Sequence, residues 1–308
     1  MHHKHHNFII IVRKKYSIHC LVQEKFANVK LKLPILTASD IFSKEVEDLK
    51  LPYRNQAYIV RWLIARDFDI DKAFDMLKAH THWRQKFGAD KLTDTWIPTS
   101  IARSHIPLGF LGEDIDKNPT WILMLGNMDI RGVLKSVPNK EMLNYCAWIL
   151  ERSMRIIERN SKKNKTQINR LNIFVDLANW KVADLTSWIS LNFGKDLAQM
   201  YEANYPEILG KLVIFNTPAL FSVLYNFVKP FLSELTVQKI RIIGSDKNQW
   251  QQEFETLEET QIPKKWGGAL TDQDGNEYAL KKLGMNMGKR VPPSKYISNQ
   301  CPELINVQ

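Results

Sequence analysis

Two aspartates are the residues whose positions most suggest chemistry. Asp176 ends an apolar run, and Asp184 follows it at the start of a predicted helix. Carboxylates near a strand end can act as general acids or bases. No nucleophile or second base is placed beside them, and the chain lacks a Gly-rich phosphate loop, a GxSxG elbow and an HExxH motif. The sequence therefore predicts that the protein is not an enzyme.

Histidine and cysteine do not form a recognisable metal motif. His80 and His82 lie on a predicted helix without a carboxylate or cysteine at ligand spacing, so we expect them at the surface or in an interface. The opening MHHKHH resembles a tag or a low-complexity tail. Cys20, Cys146 and Cys301 lie far apart without CxxC spacing, which argues against a disulfide framework and suits a reducing cytosol. We expect no cofactor and no metal.

Charge and length limit the function classes. The 308 residues are enough for one large or two modest domains, and the net charge of +10 indicates either an anionic partner or merely a basic surface. The basic residues are scattered without the interleaved aromatic residues of a stacking platform, so we expect no nucleic acid. No apolar run approaches the ~20 residues of a spanning helix. We expect a cytoplasmic monomer.

The remaining elements are organised around the stretch from Tyr205 to Gly244. It holds two β-like runs, Leu212–Phe215 and Ile240–Ile243, on either side of a helix. Thr217 is predicted to cap that helix, with Pro218 at its first position. The helix is apolar nearly all round, so it must be covered on both sides. One side can lie on a sheet, and the cover of the other side is the functional question.

The rest of the chain supplies a sheet for this helix. Apolar runs at Trp121–Leu125 and Leu171–Leu177 alternate with helical patterns, which predicts an α/β fold with a mainly parallel sheet and right-handed crossovers. The segment Gly112–Pro119 is interpreted as a turn-rich connection. We divide the chain as follows: a tail at 1–36, a helical module at 37–95, the α/β domain at 96–270 and an extension at 271–308.

Ordered motifs resemble the CRAL-TRIO lipid-binding family. RWLIARDFD at residues 61–69 is similar to its N-terminal helical module. Five further motifs are similar to the lipid-binding domain of that family. They are NYPE at 204–207, NTP at 216–218, KPFL at 229–232, TVQK at 236–239 and WGG at 266–268. The residues TDQDGN at 271–276 and VPPSKY at 291–296 extend the resemblance to the animal subgroup of supernatant protein factor and tocopherol-associated protein. Members of that subgroup continue into a GOLD domain, which we expect to be absent here.

The resemblance implies an apolar cavity floored by the sheet and covered by a gate helix at Pro218–Lys229. A lipid, or a membrane when the gate opens, would then cover the second side of the helix. Burial at ~25 cal/mol per Å² makes one long lipid chain worth many kcal/mol. We expect the lipid-binding residues to be Trp121, Leu171, Ile173, Val175, Glu207, Leu220, Phe221, Leu224, Tyr225, Phe227, Val228, Phe231 and Lys239.

The same resemblance places Glu207 and Lys239 at the polar end of the cavity. They form either a structural ion pair or a contact for a lipid headgroup. The hydroxyl residues that contact inositol phosphate in other members are replaced by Leu171 and Ile173, and a lysine by Asp67. Because a buried phosphate short of donors is costly, a neutral ligand such as a tocopherol, squalene or another isoprenoid fits better, with phosphatidylcholine as a further candidate.

Two functions remain open at this point. The leading hypothesis is a carrier that takes a hydrophobic lipid from one membrane to another, with transient contact to anionic leaflets. The alternative is a lipid-sensing interaction module that regulates a protein partner such as a small GTPase or a lipid kinase. An α/β hydrolase would need a nucleophile that the sequence does not offer.

Overall fold

A computed structural model describes residues 39–181 and 187–297. The predicted tail at 1–36, Asp184, Cys20, Cys301 and the last residues of the predicted extension lie outside the described residues. The chain divides into two compact units, Met1–Phe87 and Gly88–Gln308.

The first unit is helical in its described part. It contains a helical segment at residues 39–45, α1 (Gln56–Ile64) and α2 (Ile70–Phe87). Asn55 caps α1, because its side chain accepts a hydrogen bond from the backbone N–H of Tyr58 at 2.9 Å. Apolar residues at helical spacing form the core of the unit, whose fully buried side chains include Phe42, Trp62, Leu63 and Leu77.

The two histidines of α2 have different environments. His82 is exposed, but only 2% of His80 is exposed, and its ring centroid lies 4.7 Å from that of Trp62. Of the two predicted locations, surface or interface, His82 has the first, whereas His80 is buried against Trp62 of α1 inside the unit. The reason is helical spacing, since His80 continues the inner face of α2 that Ala73, Met76 and Leu77 begin.

A five-stranded sheet organises the described part of the second unit. The order across the sheet follows the order of the strands along the chain. β1 and β2 are antiparallel, whereas β2–β3, β3–β4 and β4–β5 are parallel. This arrangement confirms the predicted α/β class with a mainly parallel sheet. The strands are β1 (Leu108–Glu113), β2 (Pro119–Leu123), β3 (Leu171–Asp176), β4 (Leu209–Phe215) and β5 (Ile240–Ile242).

Helices connect and flank these strands. Side-chain caps start several of them: Thr99 accepts from the N–H of Ala102, and Ser233 from that of Thr236. The helices are α3 (Ser100–His105), α4 (Ile130–Ser136), α5 (Asn139–Asn164), α6 (Trp188–Asn204), α7 (Phe221–Val228), α8 (Glu234–Val237) and α9 (Lys247–Gln252).

Strand β1 was not predicted, and its last two residues fall in the segment Gly112–Pro119, which was interpreted as a turn-rich connection. Gly109 and Gly112 interrupt its apolar pattern, and glycine is depleted in strands. Gly112 has φ +107, and the pairing with β2 shifts between Phe110 and Gly112, which marks a bulge. The glycines therefore permit the close packing and the irregular backbone of an edge strand.

One face of the sheet is covered by a closely packed hydrophobic core. Phe174 and Val213 point to this face, and both are 0% exposed. The ring centroids of Phe174 and Phe254 are stacked 4.2 Å apart. Residues of the predicted C-terminal extension pack against the same core; they are Tyr278, Leu280, Leu283 and Met285. We refer to this side as the packed face.

Candidate functional site

The opposite face of the sheet is apolar but incompletely covered. Ile173 lies on the central strand and is still partly exposed, as is Leu212, which pairs with it on β4. Side chains alternate between the faces of a strand, so the neighbours Phe174 and Val213 belong to the packed face. We call this second side the slot face. Its residues pair in two rows: Trp121, Ile173, Leu212 and Ile240; and Leu123, Val175, Ile214 and Ile242.

Helix α7 lies over one end of the slot face. Phe221 at its start is buried, whereas Leu224 and Tyr225 are partly exposed. These three side chains pack with Val175, Leu177 and Ile214. The ring of Trp180, which follows β3, lies 5.9 Å from that of Phe221. The helix that was predicted to need two covers thus has the sheet as one of them.

The start of α7 differs from the prediction. Thr217 is not its N-cap, because its hydroxyl donates to the backbone carbonyl of Ile243 at 2.9 Å. The residue before the helix is Leu220, which offers no side-chain cap, and the helix begins at Phe221 instead of Pro218. Thr217 therefore ties the end of β4 to the end of β5 and leaves the N-terminal turn of α7 without a side-chain anchor.

Helix α6 provides the second cover of α7. Gly194 of α6 faces Val228 and Leu224 of α7. The ring of Phe227 meets that of Trp188 edge to face at 6.3 Å. The absence of a side chain at Gly194 allows the two helices to approach closely at this point.

Most of the lipid-binding residues predicted on α7 and directly after it face inwards. Leu224, Tyr225, Phe227, Val228 and Phe231 are partly exposed, and Phe221 is buried. The outward side of α7 presents Ser222, Val223 and Asn226, with Leu220 just before it. Val223 and Leu220 are each 47% exposed, and Trp188 beside Phe227 is 63% exposed. Insertion of these inward-facing residues into a membrane would therefore require α7 to move.

Two predicted lining residues are enclosed by protein. Trp121 is buried, its indole N–H donates to the hydroxyl of Ser153 at 2.9 Å, and its ring lies 4.9 Å from that of Phe110. Leu171 at the start of β3 is 0% exposed. Neither residue is brought next to α7, so their assignment to the ligand stays a prediction.

The polar residues Glu207 and Lys239 are brought together. The Lys239 ammonium lies 2.7 Å from Oε2 of Glu207. Arg170, which was not predicted, lies 3.2 Å from the same oxygen and also donates to the backbone carbonyl of Glu207. Glu207 is buried and has φ +59, a conformation that is costly for a non-glycine residue. The two cations hold this residue at both its side chain and its backbone.

Topology explains why these three residues meet. Arg170 precedes β3, Glu207 lies two residues before β4, and Lys239 precedes β5. These strands are parallel neighbours, so their amino ends lie at the same edge of the sheet. The position of Arg170 directly before an apolar run was the signal that could have identified it from the sequence.

The electrostatics of this cluster lower the pKa of both its acid and its lysine. Burial opposes ionisation of Glu207, but the cations of Lys239 and Arg170 outweigh burial and lower the pKa of Glu207. Burial and repulsion by Arg170 lower the pKa of Lys239. Two cations share one carboxylate, so the cluster has a net charge of +1 and is suited to stabilising an anion or to closing one end of the slot.

Asp176, the candidate acid, has a structural role. Its carboxylate accepts hydrogen bonds from the indole of Trp266 at 2.9 Å, the side chain of Asn216 at 2.8 Å and the N–H of Ala178 at 2.9 Å. The residue is 4% exposed. These bonds join β3, the end of β4 and the WGG segment, which gives the motif residues Asn216 and Trp266 a shared partner.

Two features of the described residues bear on metal binding and on nucleophilic chemistry. Within 39–181 and 187–297, no group of three or more His, Cys, Asp or Glu side chains is placed to hold a metal ion. Burial raises the pKa of the Cys146 thiol to about 12, which makes it a poor nucleophile. In the same part of the chain, no helix combines the length and the apolar character needed to cross a membrane.

Comparison with known families assigns the fold. Residues 103–268 match the family described as CRAL/TRIO domain. The chain belongs to the CRAL/TRIO family. Proteins of this family bind and transfer lipids. The matched region includes all five strands, α7 and the Arg170–Glu207–Lys239 cluster.

One curated relative agrees with this assignment, and one solved structure shares the fold. A CRAL-TRIO domain-containing protein of Caenorhabditis elegans is 30% identical over 251 residues, which are 80% of this chain and 33% of that protein. This chain thus spans about a third of the length of the curated relative it matches. The crystal structure of Sfh5 is similar with a TM-score of 0.60 and 16% identity, over 84% of this chain and 97% of that one.

Proposed function

We propose that this chain binds a hydrophobic lipid between the slot face and α7 and carries it between membranes, with α7 as the gate. The observation that supports this best is the contrast between the two faces of the same strands. Ile173 and Leu212 are partly exposed in the middle of the sheet, whereas Phe174 and Val213 are completely buried. A lipid on the slot face would remove that apolar surface from water, at ~25 cal/mol per Å².

We propose a neutral ligand, such as a tocopherol, squalene or another isoprenoid, with phosphatidylcholine as a further candidate. Leu171 and Ile173 offer no donor for an inositol phosphate. Lys239 and Arg170 already share the carboxylate of Glu207, so a phosphate would have to compete with it. The motifs at 271–276 and 291–296 support placement in the supernatant protein factor and tocopherol-associated subgroup.

We propose that the protein meets membranes through the outward side of α7. Val223, Leu220 and Trp188 are exposed apolar residues at this position, and a net charge of +10 favours anionic leaflets. A monomer in the cytoplasm that associates transiently with membranes would suit this activity. The same proposal includes the domain limits, which are 37–95, 96–270 and 271–308.

Two measurements on the purified protein test the proposal. Organic extraction followed by mass spectrometry should yield about one lipid per protein. Tritiated phytol or tritiated phosphatidylcholine should then move from donor to acceptor vesicles at a rate that rises with protein concentration. Bound lipid without any transfer would favour the lipid-sensing interaction module instead. Absence of both bound lipid and transfer would contradict lipid binding.

A further inference from the structure

The indole N–H of Trp180 is a buried donor on the ligand side of the sheet. Within the described residues, its Nε1 is buried without a hydrogen-bond partner. Three other indoles of the second unit do have acceptors: Trp96 donates to Glu141, Trp121 to Ser153 and Trp266 to Asp176. A buried donor without an acceptor is unfavourable, so the position of Trp180 needs an explanation.

The backbone around Trp180 is firmly held. Leu177 donates its N–H to the carbonyl of Phe215, and Trp180 donates its own to the carbonyl of Leu177. The side chain of Asn179 donates to that of Asn127 at 3.0 Å. Gly126 packs so closely that an added Cβ would lie 1.9 Å from the carbonyl oxygen of Ala178. The turn therefore directs the indole towards Phe221 and the adjoining end of the slot face.

Trp180 and the charged cluster lie at opposite ends of the sheet. Trp180 follows the carboxyl end of β3, whereas Arg170 precedes its amino end. The six residues of β3 span roughly 20 Å, at ~3.3 Å per residue. Between the two ends lie Ile173 and Val175, with Leu212 beside them on β4. The slot face is thus a long apolar surface with an unused hydrogen-bond donor at the end covered by α7.

We propose that Trp180 is a specificity-determining residue, whose indole N–H donates to the single oxygen of an otherwise apolar lipid. The inference rests on the proposed function and narrows its ligand class. The oxygen is that of a hydroxyl, ether or carbonyl group, and the hydrocarbon part extends along Ile173 towards β2. A pure hydrocarbon would leave the donor unpaired, so the site should prefer an isoprenoid alcohol over the matching alkane by about tenfold.

The experiment compares phytol with phytane, which share a branched carbon skeleton and differ in one hydroxyl. Each probe is offered in vesicles, and the amount bound to the separated protein is measured by mass spectrometry. The test variant is Trp180→Phe, which keeps an aromatic ring and removes the N–H. The matched control is Trp250→Phe. In the part of the chain that the structure describes, the Nε1 of Trp250 is also buried without a hydrogen-bond partner, but this indole lies between Phe215 and Phe254 on the packed face.

We expect the wild type and Trp250→Phe to bind phytol about tenfold better than phytane, and Trp180→Phe to bind both about equally. Retention of the preference by Trp180→Phe would overturn the proposal. Equal binding of both probes by the wild type would also overturn it, while leaving lipid binding intact. Binding of neither probe would contradict the proposed function and this inference together.

A second readout needs no substitution. In the ¹H–¹⁵N spectrum of the wild-type indoles, phytol should shift one indole signal downfield, because a new hydrogen bond deshields the proton. Phytane should leave that signal in place. A spectrum in which phytol and phytane have the same effect on every indole signal would overturn the proposal even if Trp180→Phe fails to fold.

Discussion

Gly194 of α6 faces Val228 of α7 so closely that a Cβ added to the glycine would lie 3.1 Å from Cγ2 of the valine. That separation is tighter than ordinary van der Waals contact, and the Cδ1 of Leu224 would be 3.9 Å away. The absence of a side chain at Gly194 therefore lets α7 approach α6 this closely. Side-chain size at this position should control whether α7 rests closed or open.

Gly194→Leu should open the gate. A leucine overfills the contact between α6 and α7 by ~1–3 kcal/mol, which displaces α7 and should speed release of tritiated phytol to vesicles about tenfold. Gly194→Ala should have a much smaller effect, because Val228 needs to move only slightly. Adding Val228→Ala to Gly194→Leu should restore part of the slow release. Wild-type release from a folded Gly194→Leu variant would show that this contact does not restrain the gate.

Ile173→Trp should exclude the ligand. The larger ring would occupy the slot face beneath α7, so organic extraction should recover several-fold less lipid than from the wild type. Ile242→Trp is the matched control, since Ile242 lies on the same face but on the edge strand and is 41% exposed. Equal lipid recovery from Ile173→Trp and the wild type would mean that the pocket is elsewhere.

Val223→Asp should weaken membrane contact. The residue is exposed on α7, so the fold should tolerate the charge, but a carboxylate is costly to bring into an anionic interface. We expect about tenfold less co-sedimentation with vesicles of phosphatidylcholine and phosphatidylserine. Ile115→Asp is the control, because Ile115 is 65% exposed on the β1–β2 loop. If the two substitutions have equal effects, α7 is not the contact surface.

Glu207→Gln should destabilise the protein more than Lys239→Met. The first change leaves two partly buried cations without their anion, at a cost of about 3 kcal/mol. The second leaves Glu207 paired with Arg170. Urea unfolding at neutral pH measures both costs. A larger cost for Lys239→Met would mean that Arg170 does not compensate Glu207.

The same carboxylate should make stability depend on acidity. The pKa of Glu207 in the folded state lies below its ordinary value of 4.5. The contribution of ionised Glu207 to the free energy of unfolding is therefore complete above the unfolded-state pKa. It is lost as the pH falls through the lower, folded-state pKa. Unfolding measured from pH 3 to pH 7 should show a smaller acid-side loss in Glu207→Gln than in the wild type. Identical pH profiles would mean that other groups cause the loss.

The sheet could be predicted from the sequence because its inner strands are apolar on both faces. Runs such as Leu171–Leu177 indicate a strand covered on both sides, and the alternation with helices implies parallel pairing. Strand β1 could not be predicted in this way, because Gly109 and Gly112 remove the periodic signal. The fit of an edge strand against Gln261 and Met285 is a tertiary property that adjacent residues do not encode.

The site was predicted only in part, for a similar reason. The apolar character of α7 and the pairing of Glu207 with Lys239 followed from composition and from resemblance. The N-cap assignment of Thr217 was wrong, because the carbonyl of Ile243, 26 residues away, provides a better partner for its hydroxyl. The roles of Gly194 and Trp180 depend on side chains from other elements, so a linear pattern does not indicate them.

The contrast between the two faces has a consequence for how such domains diversify. Because neighbouring residues of β3 and β4 point in opposite directions, a change at Ile173 or Leu212 alters the slot face and spares the core around Phe174 and Val213. Under the proposed function, selection for the bound lipid and selection for stable folding would act on separate positions of the same strands. Related proteins with this sheet would then bind different lipids while they keep the same fold.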